Sequence, residues 1–179
     1  MENAVERKLH IGGKEVKEGW ELLNAMEFDG VDHLMNATDL SKFEDNTFSV
    51  IYASHIVEHL DFVGELFETM AEWHRVLKPG GTIHISVPDL DILCAMMIDK
   101  KQLDTQIRFQ VMKMMFGGHI DEYDYHKVGL NLEFLGGVLN QAGYENIERV
   151  TSFGLFQDAS ELIFCGVPIS LNLQAKKKS

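Results

Sequence analysis

Hydrophobic and polar positions follow two different periods along the chain, and each period predicts one kind of element. Short apolar runs with β-branched and aromatic residues, bounded by glycine or small polar residues, indicate buried strands. We predict such strands at residues 8–11, 21–25, 31–35, 48–53 and 82–87. From Asp61 to Leu77 the apolar residues recur at helical spacing, which predicts a helix. Lys78-Pro79-Gly80-Gly81 ends this helix, because proline cannot continue it.

The second half of the chain shows a longer helical pattern followed by further strands. A Met-rich helical region is predicted from Ile92 to Phe116. Asn131 is placed to cap another helix, which Gly143 ends. The remaining apolar runs predict two strands near 147–153 and 162–173, separated by an irregular piece at 154–160.

Strands that alternate with helices predict an α/β domain. We expect a doubly wound, mostly parallel sheet with helices on both faces. The chain has three prolines, no repeat and no low-complexity linker, so residues 1–179 are expected to form one domain. In such a sheet a ligand binds beyond the carboxyl ends of the strands, where the strand order reverses. The residues at or shortly after the ends of predicted strands are Gly12, Gly13, Asn24, Asp39, Leu40, Ser54, His55, Pro88 and Asp89.

Four segments near these strand ends carry sequence motifs. The first is KLHIG at 8–12, and the second is DLSKFEDNTFSVI at 39–51. HIVEHL follows at 55–60, and RVLKPGG at 75–81 is the most specific of the four. In order and separation they resemble the small-molecule, type 11-like class I S-adenosylmethionine-dependent methyltransferases. The resemblance implies a Rossmann-like sheet of seven strands with the last one antiparallel, and methyl transfer from S-adenosylmethionine to an unidentified small molecule.

The same resemblance implies where the cofactor binds. Glycine after the first strand lets the backbone approach a ligand, and Asp39 stands where a carboxylate can accept from the adenine amino group. Ser54 and His55 follow the fourth strand, where the family lines the pocket near the sulfonium. The predicted cofactor-binding residues are Gly12, Gly13, Asn24, Asp39, Leu40, Ser54 and His55.

Two features depart from the family pattern. The usual G-x-G-x-G loop is reduced to Gly12-Gly13, and residues 14–20 before the next predicted strand leave little room for a helix. Asn24 stands where the family generally has an acidic residue, and an amide lacks the charge that strengthens a ribose hydrogen bond. We therefore expect a degenerate glycine loop, and a second hypothesis stays open. In that hypothesis the methyltransferase-like fold binds a ligand or a protein without catalysis.

Histidines supply the candidates for acid–base chemistry, since an imidazole titrates near neutral pH. His59, His119 and His126 are candidate catalytic residues, the last two in a polar and aromatic segment that is either a lid or a surface loop. His55, Glu58 and His59 also match the H-x-x-E-H pattern of certain zinc peptidases. That pattern lies where the methyltransferase motif is expected. The chain also has no further carboxylate at the spacing found in those zinc peptidases, so no metal site is predicted.

Charge narrows the choice of partner. The 179 residues include 28 acidic and 16 basic side chains, a formal net charge of −12, which argues against nucleic acid and against an anionic membrane surface. A small-molecule substrate is favoured, and a homodimer through the Met-rich region stays open. Cys94 and Cys165 lie in apolar stretches and are expected to be reduced core residues. Without a signal-peptide pattern or an apolar run of membrane-spanning length, we expect a cytoplasmic protein.

Overall fold

A seven-stranded sheet forms the centre of the computed structural model, which describes residues 6–179. The strands are β1 Lys8–Ile11, β2 Glu21–Asn24, β3 His33–Leu34, β4 Phe48–Ser54, β5 Leu77–Pro88, β6 Tyr144–Val150, β7 Ile163–Phe164, β8 Val167–Pro168 and β9 Ser170–Lys177. The sheet has the order β3-β2-β1-β4-β5-β9-β6, and β7 pairs with β8 outside it. The first five strands are mutually parallel, and β9 is antiparallel to both of its neighbours. The predicted α/β sheet is confirmed, although residues 1–5 of the predicted domain lie outside this description.

Four helices and two short 3₁₀ turns connect the strands. The helices are α1 Glu65–Val76, α2 Leu90–Ile98, α3 Thr105–Phe116 and α4 Leu132–Gln141, and the 3₁₀ turns are Val57–His59 and Ala159–Glu161. α1 is amphipathic, as predicted, and buries Leu66, Met70 and Trp73 against one face of the sheet. α4 packs beside α1 on the same face and buries Leu135 and Leu139. Within residues 6–179, no helix is long and apolar enough to cross a membrane.

The opposite face of the sheet is covered by irregular chain. Residues 14–20 and 151–161 lie over it, and the rings of Trp20 and Phe156 contact Tyr52 of β4 at centroid distances of 6.4 and 4.8 Å. We expected helices on both faces, but the connections after β1, β2 and β3 contain no helix. These connections are short or rich in Asn, Asp and Thr, which favour turns over helices.

The predicted helical region 92–116 is divided into α2 and α3. Asp99 follows α2 and accepts two backbone hydrogen bonds, which turn the chain. Asp104 then caps α3 by accepting from the N–H of Ile107 at 2.8 Å. The two helices pack against each other and against the β7–β8 hairpin in a second, smaller hydrophobic cluster. Periodicity missed the break because both helices are rich in apolar residues.

The prediction of one strand over 162–173 was wrong in part. β7 and β8 form a hairpin whose two-residue turn, Cys165-Gly166, has φ angles of 50° and 78°. Two positive φ angles match the twist of a tight hairpin, and β9 begins only after it.

The prediction that both cysteines lie in the core was wrong as well, since Cys94 and Cys165 are exposed. Cys165 lies in the turn, and only one side of α2 is buried.

The face covered by irregular chain carries polar side chains. Tyr52 donates a hydrogen bond to the carboxylate of Asp158 at 2.8 Å, and the rings of His10 and His84 lie 5.1 and 6.5 Å from its ring. Burial lowers the pKa of both histidines to about 4. Both are therefore held neutral in the folded protein around pH 7.

Arg75, near the end of α1, forms hydrogen bonds with the loop that follows β3. Its guanidinium donates to the carbonyl oxygens of Leu40 and Phe43 at 3.0 and 2.9 Å, and to the carboxylates of Glu72 and Asp45 at 2.7 Å each. Hydrogen bonds to Glu72 and Asp45 raise the pKa of Arg75 above its ordinary value. The arginine of the RVLKPGG motif thus holds in place a loop that has no helix of its own.

The stability of the protein should fall as the pH decreases from about 6.5 to about 4. In this window the unfolded chain binds a proton at His84 that the folded chain does not, which costs at most about 1.4 kcal/mol per pH unit. His84→Phe removes this proton and keeps an aromatic ring beside Phe153. Urea unfolding should show a shallower loss of stability in the variant below about pH 6.5, and parallel curves above it. Equal slopes at low pH would contradict the buried, neutral state of His84.

Arg75→Lys should lower the free energy of unfolding by about 1–3 kcal/mol. An ammonium group cannot serve acceptors arranged around a planar guanidinium, so the loop carbonyl oxygens lose their partners. Urea denaturation measures the change. Arg7→Lys is the control, because exposed Arg7 bridges the carboxylate of Glu21 at the surface, and it should lose less than about 1 kcal/mol. Equal losses in the two variants would argue against the role given to Arg75.

Candidate functional site

A cavity of about 450 Å³ opens at the carboxyl ends of β1, β2 and β3. It lies beside the reversal of strand order between β1 and β4, which is where doubly wound sheets bind ligands. Its volume lies in the range of roughly 300–1,000 Å³ that is common for small-molecule sites. The wall comprises Gly12 and Lys14, residues 23–26 and 36–38, Ile56, His59, Leu60, Glu65, residues 120–124 and Lys127.

Gly12 allows two of these segments to come together. Its φ of 76° lies in the left-handed region, and its N–H donates to the carbonyl oxygen of Leu23 at 2.8 Å. A Cβ atom at this position would lie 2.0 Å from Cδ1 of Ile56, which also lines the cavity. The positive φ favours glycine here, and any larger residue would displace the Ile56 side chain from its place in the cavity wall.

Asn24 lines the cavity and holds the glycine loop. Its side chain donates to the carbonyl oxygen of Gly13 at 3.0 Å and accepts from the N–H of Met26 at 2.9 Å. Gly13 itself lies outside the lining residues, and a Cβ there would overlap the ring of His10. The second glycine thus makes room for a buried histidine, and no helix intervenes before β2.

The cavity wall after β3 is formed by residues that precede the predicted ones. Asp39 is exposed and bonds within its own loop, whereas Leu40 is buried in the core, and neither lines the cavity. Residues 36–38 take this position, and the side chain of Asn36 accepts from the N–H of Thr38 at 3.0 Å. The available sequence signal was the turn-forming Asn36 itself, directly after the apolar run.

Ser54 and His55 contact partners away from the cavity. The hydroxyl of Ser54 donates a hydrogen bond to the carboxylate of Asp158 at 3.1 Å, on the sheet face that is covered by irregular chain. His55 has a φ of 53°, and its Nε2 lies 2.9 Å from Oγ of Ser170. The cavity wall begins one residue later, at Ile56, and continues at His59.

Residues 117–126 form a folded-back loop, and its central part forms the outer wall of the cavity. Gly117 has a φ of 88°, and a Cβ there would lie 2.2 Å from the carbonyl oxygen of Asp124, because the segment folds back on itself. Residues 120–124 line the cavity, which favours a lid over a surface loop. His119 is exposed, stacks on Tyr125 at a centroid distance of 4.1 Å, and lies outside the lining.

Negative charge dominates the cavity wall. The charged lining residues are Lys14, Glu65, Asp121, Glu122, Asp124 and Lys127. Lys127 lies 3.3 Å from the carboxylate of Glu65, so these two charges offset each other. The three carboxylates of the 120–124 segment then outnumber the remaining lysine. The cavity therefore favours cationic or neutral ligands over anionic ones.

Glu58, His59 and His126 lie close together; His59 lines the cavity, whereas Glu58 and His126 line a separate small cavity. The two histidine rings have centroids 4.8 Å apart, and Nε2 of His126 lies 4.0 Å from the Glu58 carboxylate. Burial raises the pKa of Glu58, which is 2% exposed, to about 8. Burial also lowers the pKa of both histidines, so they are neutral around pH 7. Sequence analysis named the two histidines and missed their meeting with Glu58, because residues 58 and 126 are distant in the chain.

The H-x-x-E-H pattern does not form the helical pair of a zinc peptidase. Residues 57–59 form a 3₁₀ turn, and His55 precedes that turn with a positive φ. A zinc peptidase needs its two histidines on one face of an α-helix. In this fold His55 and His59 instead have separate hydrogen-bond partners.

Comparisons with known proteins agree with this architecture. Residues 12–85 match a family model described as a methyltransferase domain. A comparison with curated protein sequences gives no match. The matched residues include the glycine loop, β2, β4 and most of β5, and so the strand ends that form most of the cavity wall.

Solved structures share the fold across almost the whole chain. A SAM-dependent methyltransferase from Archaeoglobus fulgidus has 20% identity and a TM-score of 0.59, over 96% of this chain and 86% of that one. One from Thermotoga maritima has 18% identity and a TM-score of 0.58, over 96% and 82%. A Bordetella parapertussis protein has 11% identity and a TM-score of 0.58 over 96% of this chain, which spans 62% of its length. Residues 12–85 thus resemble a methyltransferase domain in sequence, and the chain shares the fold of solved S-adenosylmethionine-dependent methyltransferases.

Proposed function

We propose that this protein transfers the methyl group of S-adenosylmethionine to a small molecule. The observation that carries the proposal is the cavity of about 450 Å³ at the reversal of strand order. Most of its wall belongs to residues 12–85, which match the methyltransferase family. A cavity of this kind suits a nucleoside cofactor with a small acceptor beside it.

The strand-end segments offer contacts to a nucleoside. Gly12 lets the backbone lie close to a ligand, and Oδ1 of Asn24 keeps a lone pair that can accept from a ribose hydroxyl. Asn36 and Thr38 supply polar groups after β3. Because the Asn24 amide replaces a charged acceptor, we expect a Kd of roughly micromolar, about −8 kcal/mol.

The charge of the cavity wall matches the charge of this cofactor. S-adenosylmethionine carries a sulfonium and an ammonium group against one carboxylate, so its net charge is positive. Its product, S-adenosylhomocysteine, has lost the sulfonium charge and is neutral overall. The carboxylates of Asp121, Glu122 and Asp124 favour binding of the positively charged cofactor over the neutral product. This preference helps new S-adenosylmethionine to replace S-adenosylhomocysteine after the reaction. They also disfavour phosphorylated acceptors.

S-adenosylmethionine supplies, when bound, a methyl group activated by its positively charged sulfur. The protein then has to align a nucleophile with that methyl, exclude water and receive a proton. The 120–124 segment covers the outer side of the cavity. Burial lowers the pKa of His59, so its imidazole is neutral around pH 7. This residue lines the cavity, and the lone pair of its ring can receive a proton or bind an electrophilic group. We therefore propose a small, neutral or cationic acceptor bound at this end.

Gly12→Ala should abolish or weaken cofactor binding at least about tenfold, a loss of about 1.4 kcal/mol. The added Cβ would lie 2.0 Å from Cδ1 of Ile56 and displace this side chain, which forms part of the cavity wall. Calorimetric titration with S-adenosylmethionine and S-adenosylhomocysteine measures the effect, and the wild type should bind the methylated form more tightly. Gly19→Ala is the matched control: its φ of 79° imposes the same backbone strain as the 76° of Gly12, with no atom within 4 Å of the new Cβ.

The control variant should bind like the wild type. Equal weakening in both variants would mean that backbone strain at a positive φ, and not the contact of the new Cβ with Ile56, controls binding. Absence of binding by the wild type at millimolar cofactor would contradict the proposed function. A methyltransferase-like fold that binds another ligand or a protein would then take its place.

A further inference from the structure

A buried carboxylate without hydrogen-bond partners lies beside the cavity. Glu58 is 2% exposed, and among residues 6–179 neither of its carboxylate oxygens has a hydrogen-bond partner. Burial of an ionised carboxylate is strongly unfavourable unless another group compensates its charge. The histidines around Glu58 therefore indicate which group compensates the charge of its carboxylate.

The hydrogen bonds of His55 define one neighbour of this carboxylate. Oγ of Ser170 donates to the carbonyl oxygen of Ala159 at 2.7 Å, so toward His55 it can only accept. Nε2 of His55, 2.9 Å from that Oγ, therefore carries the ring proton. The other ring nitrogen, Nδ1, has a bare lone pair and lies 3.4 Å from Oε1 of Glu58. Two lone pairs thus face each other, which requires either a proton or a cation between them.

The histidines on the other side of Glu58 are oriented in the same way. Nδ1 of His59 lies 3.1 Å from the carbonyl oxygen of Tyr125, so Nδ1 carries the proton and Nε2 keeps its lone pair. Nε2 of His126 lies 4.0 Å from the Glu58 carboxylate, and its ring lies edge-on to that of His59. An imidazole fixed through one nitrogen by a backbone carbonyl, with the second nitrogen free, is typical of metal-ligating histidines.

The geometry points to a site for one divalent transition-metal ion, with Glu58, His59 and His126 as its ligands. One candidate ligand atom of each residue lies within 4.8 Å of those of the other two. Ligand atoms about 2.1 Å from a tetrahedral ion lie roughly 3.4 Å apart, so small side-chain shifts would close the site. Two imidazoles and one carboxylate suit Zn²⁺ and similar ions better than Mg²⁺ or Ca²⁺, which prefer oxygen ligands.

Three protein ligands leave a fourth position for a water molecule or a substrate atom. His59 is the ligand that also lines the cavity, and through it the ion would lie next to the proposed binding place of the methyl acceptor. In this role, which rests on the proposed function, the lone pair of His59 would bind the ion instead of a proton, and the ion would bind an acceptor oxygen or nitrogen and make its proton easier to lose. Metal binding itself does not depend on that role.

Zn²⁺ titration of the full chain, freed of metal by a chelator, tests the site. We expect one Zn²⁺ per chain by calorimetry, and a visible absorption band of four-coordinate character when Co²⁺ replaces it. Glu58→Gln and His126→Ala should each weaken Zn²⁺ binding about 100-fold or more. His119→Ala is the matched control, since it removes an exposed imidazole from the same segment as His126 and should bind Zn²⁺ like the wild type.

Glu58→Gln also separates metal binding from a structural role. It keeps the size of the side chain and removes a carboxyl group whose ionisation burial disfavours, so the metal-free variant should be at least as stable to urea as the wild type. Failure of the wild type to bind one Zn²⁺, or unchanged binding in His126→Ala, would overturn the site and leave a proton on Glu58 as the compensating group. Because no cofactor is present in these titrations, their outcome is independent of S-adenosylmethionine binding.

Discussion

The parallel pairing of β1 with β4 is the interaction on which the rest of the site depends. The register runs from Lys8 opposite Val50 to Ile11 opposite Ala53, so the two strands end together at one edge of the sheet. Strand order reverses at this pair, and the following loops diverge to opposite sides. Glycine is favoured at position 12 by its positive φ and because the Ile56 side chain, from the loop after β4, occupies the space that a Cβ would need. The cavity is the space that these diverging loops leave open.

The two ends of the cavity have different chemistry. Near β1, β2 and β3 the wall offers a glycine, amides and a hydroxyl, which suit the neutral parts of a nucleoside. Toward the 120–124 segment the wall offers carboxylates and His59, with Glu58 buried behind it. A buried carboxyl whose pKa is raised, beside neutral imidazoles in a cavity, is typical of functional sites. The first end fits a cofactor, and the second fits the reacting groups.

Local sequence predicted the parts of the fold that depend on local interactions. The strands, α1 and its ending at Lys78-Pro79-Gly80-Gly81 follow from periodicity and turn chemistry, and the motifs identified the fold. The lining residues 36–38 were missed because loop hydrogen bonds, and not the strand pattern, decide which side chains face a cavity. The contact of Glu58 with His126 was missed because it joins distant parts of the chain. Hydrophobic composition likewise could not show that Cys94 lies on the exposed side of a helix.

A crystal structure of the complex with S-adenosylhomocysteine tests the central claim most directly. We expect the nucleoside between Gly12 and residues 36–38, with its ribose beside Asn24 and its sulfur toward His59. This result would show that the cavity at the β1–β4 reversal is the cofactor site, despite the absence of a helix after β1. A ligand bound on the opposite face of the sheet, or anywhere outside this cavity, would contradict the account.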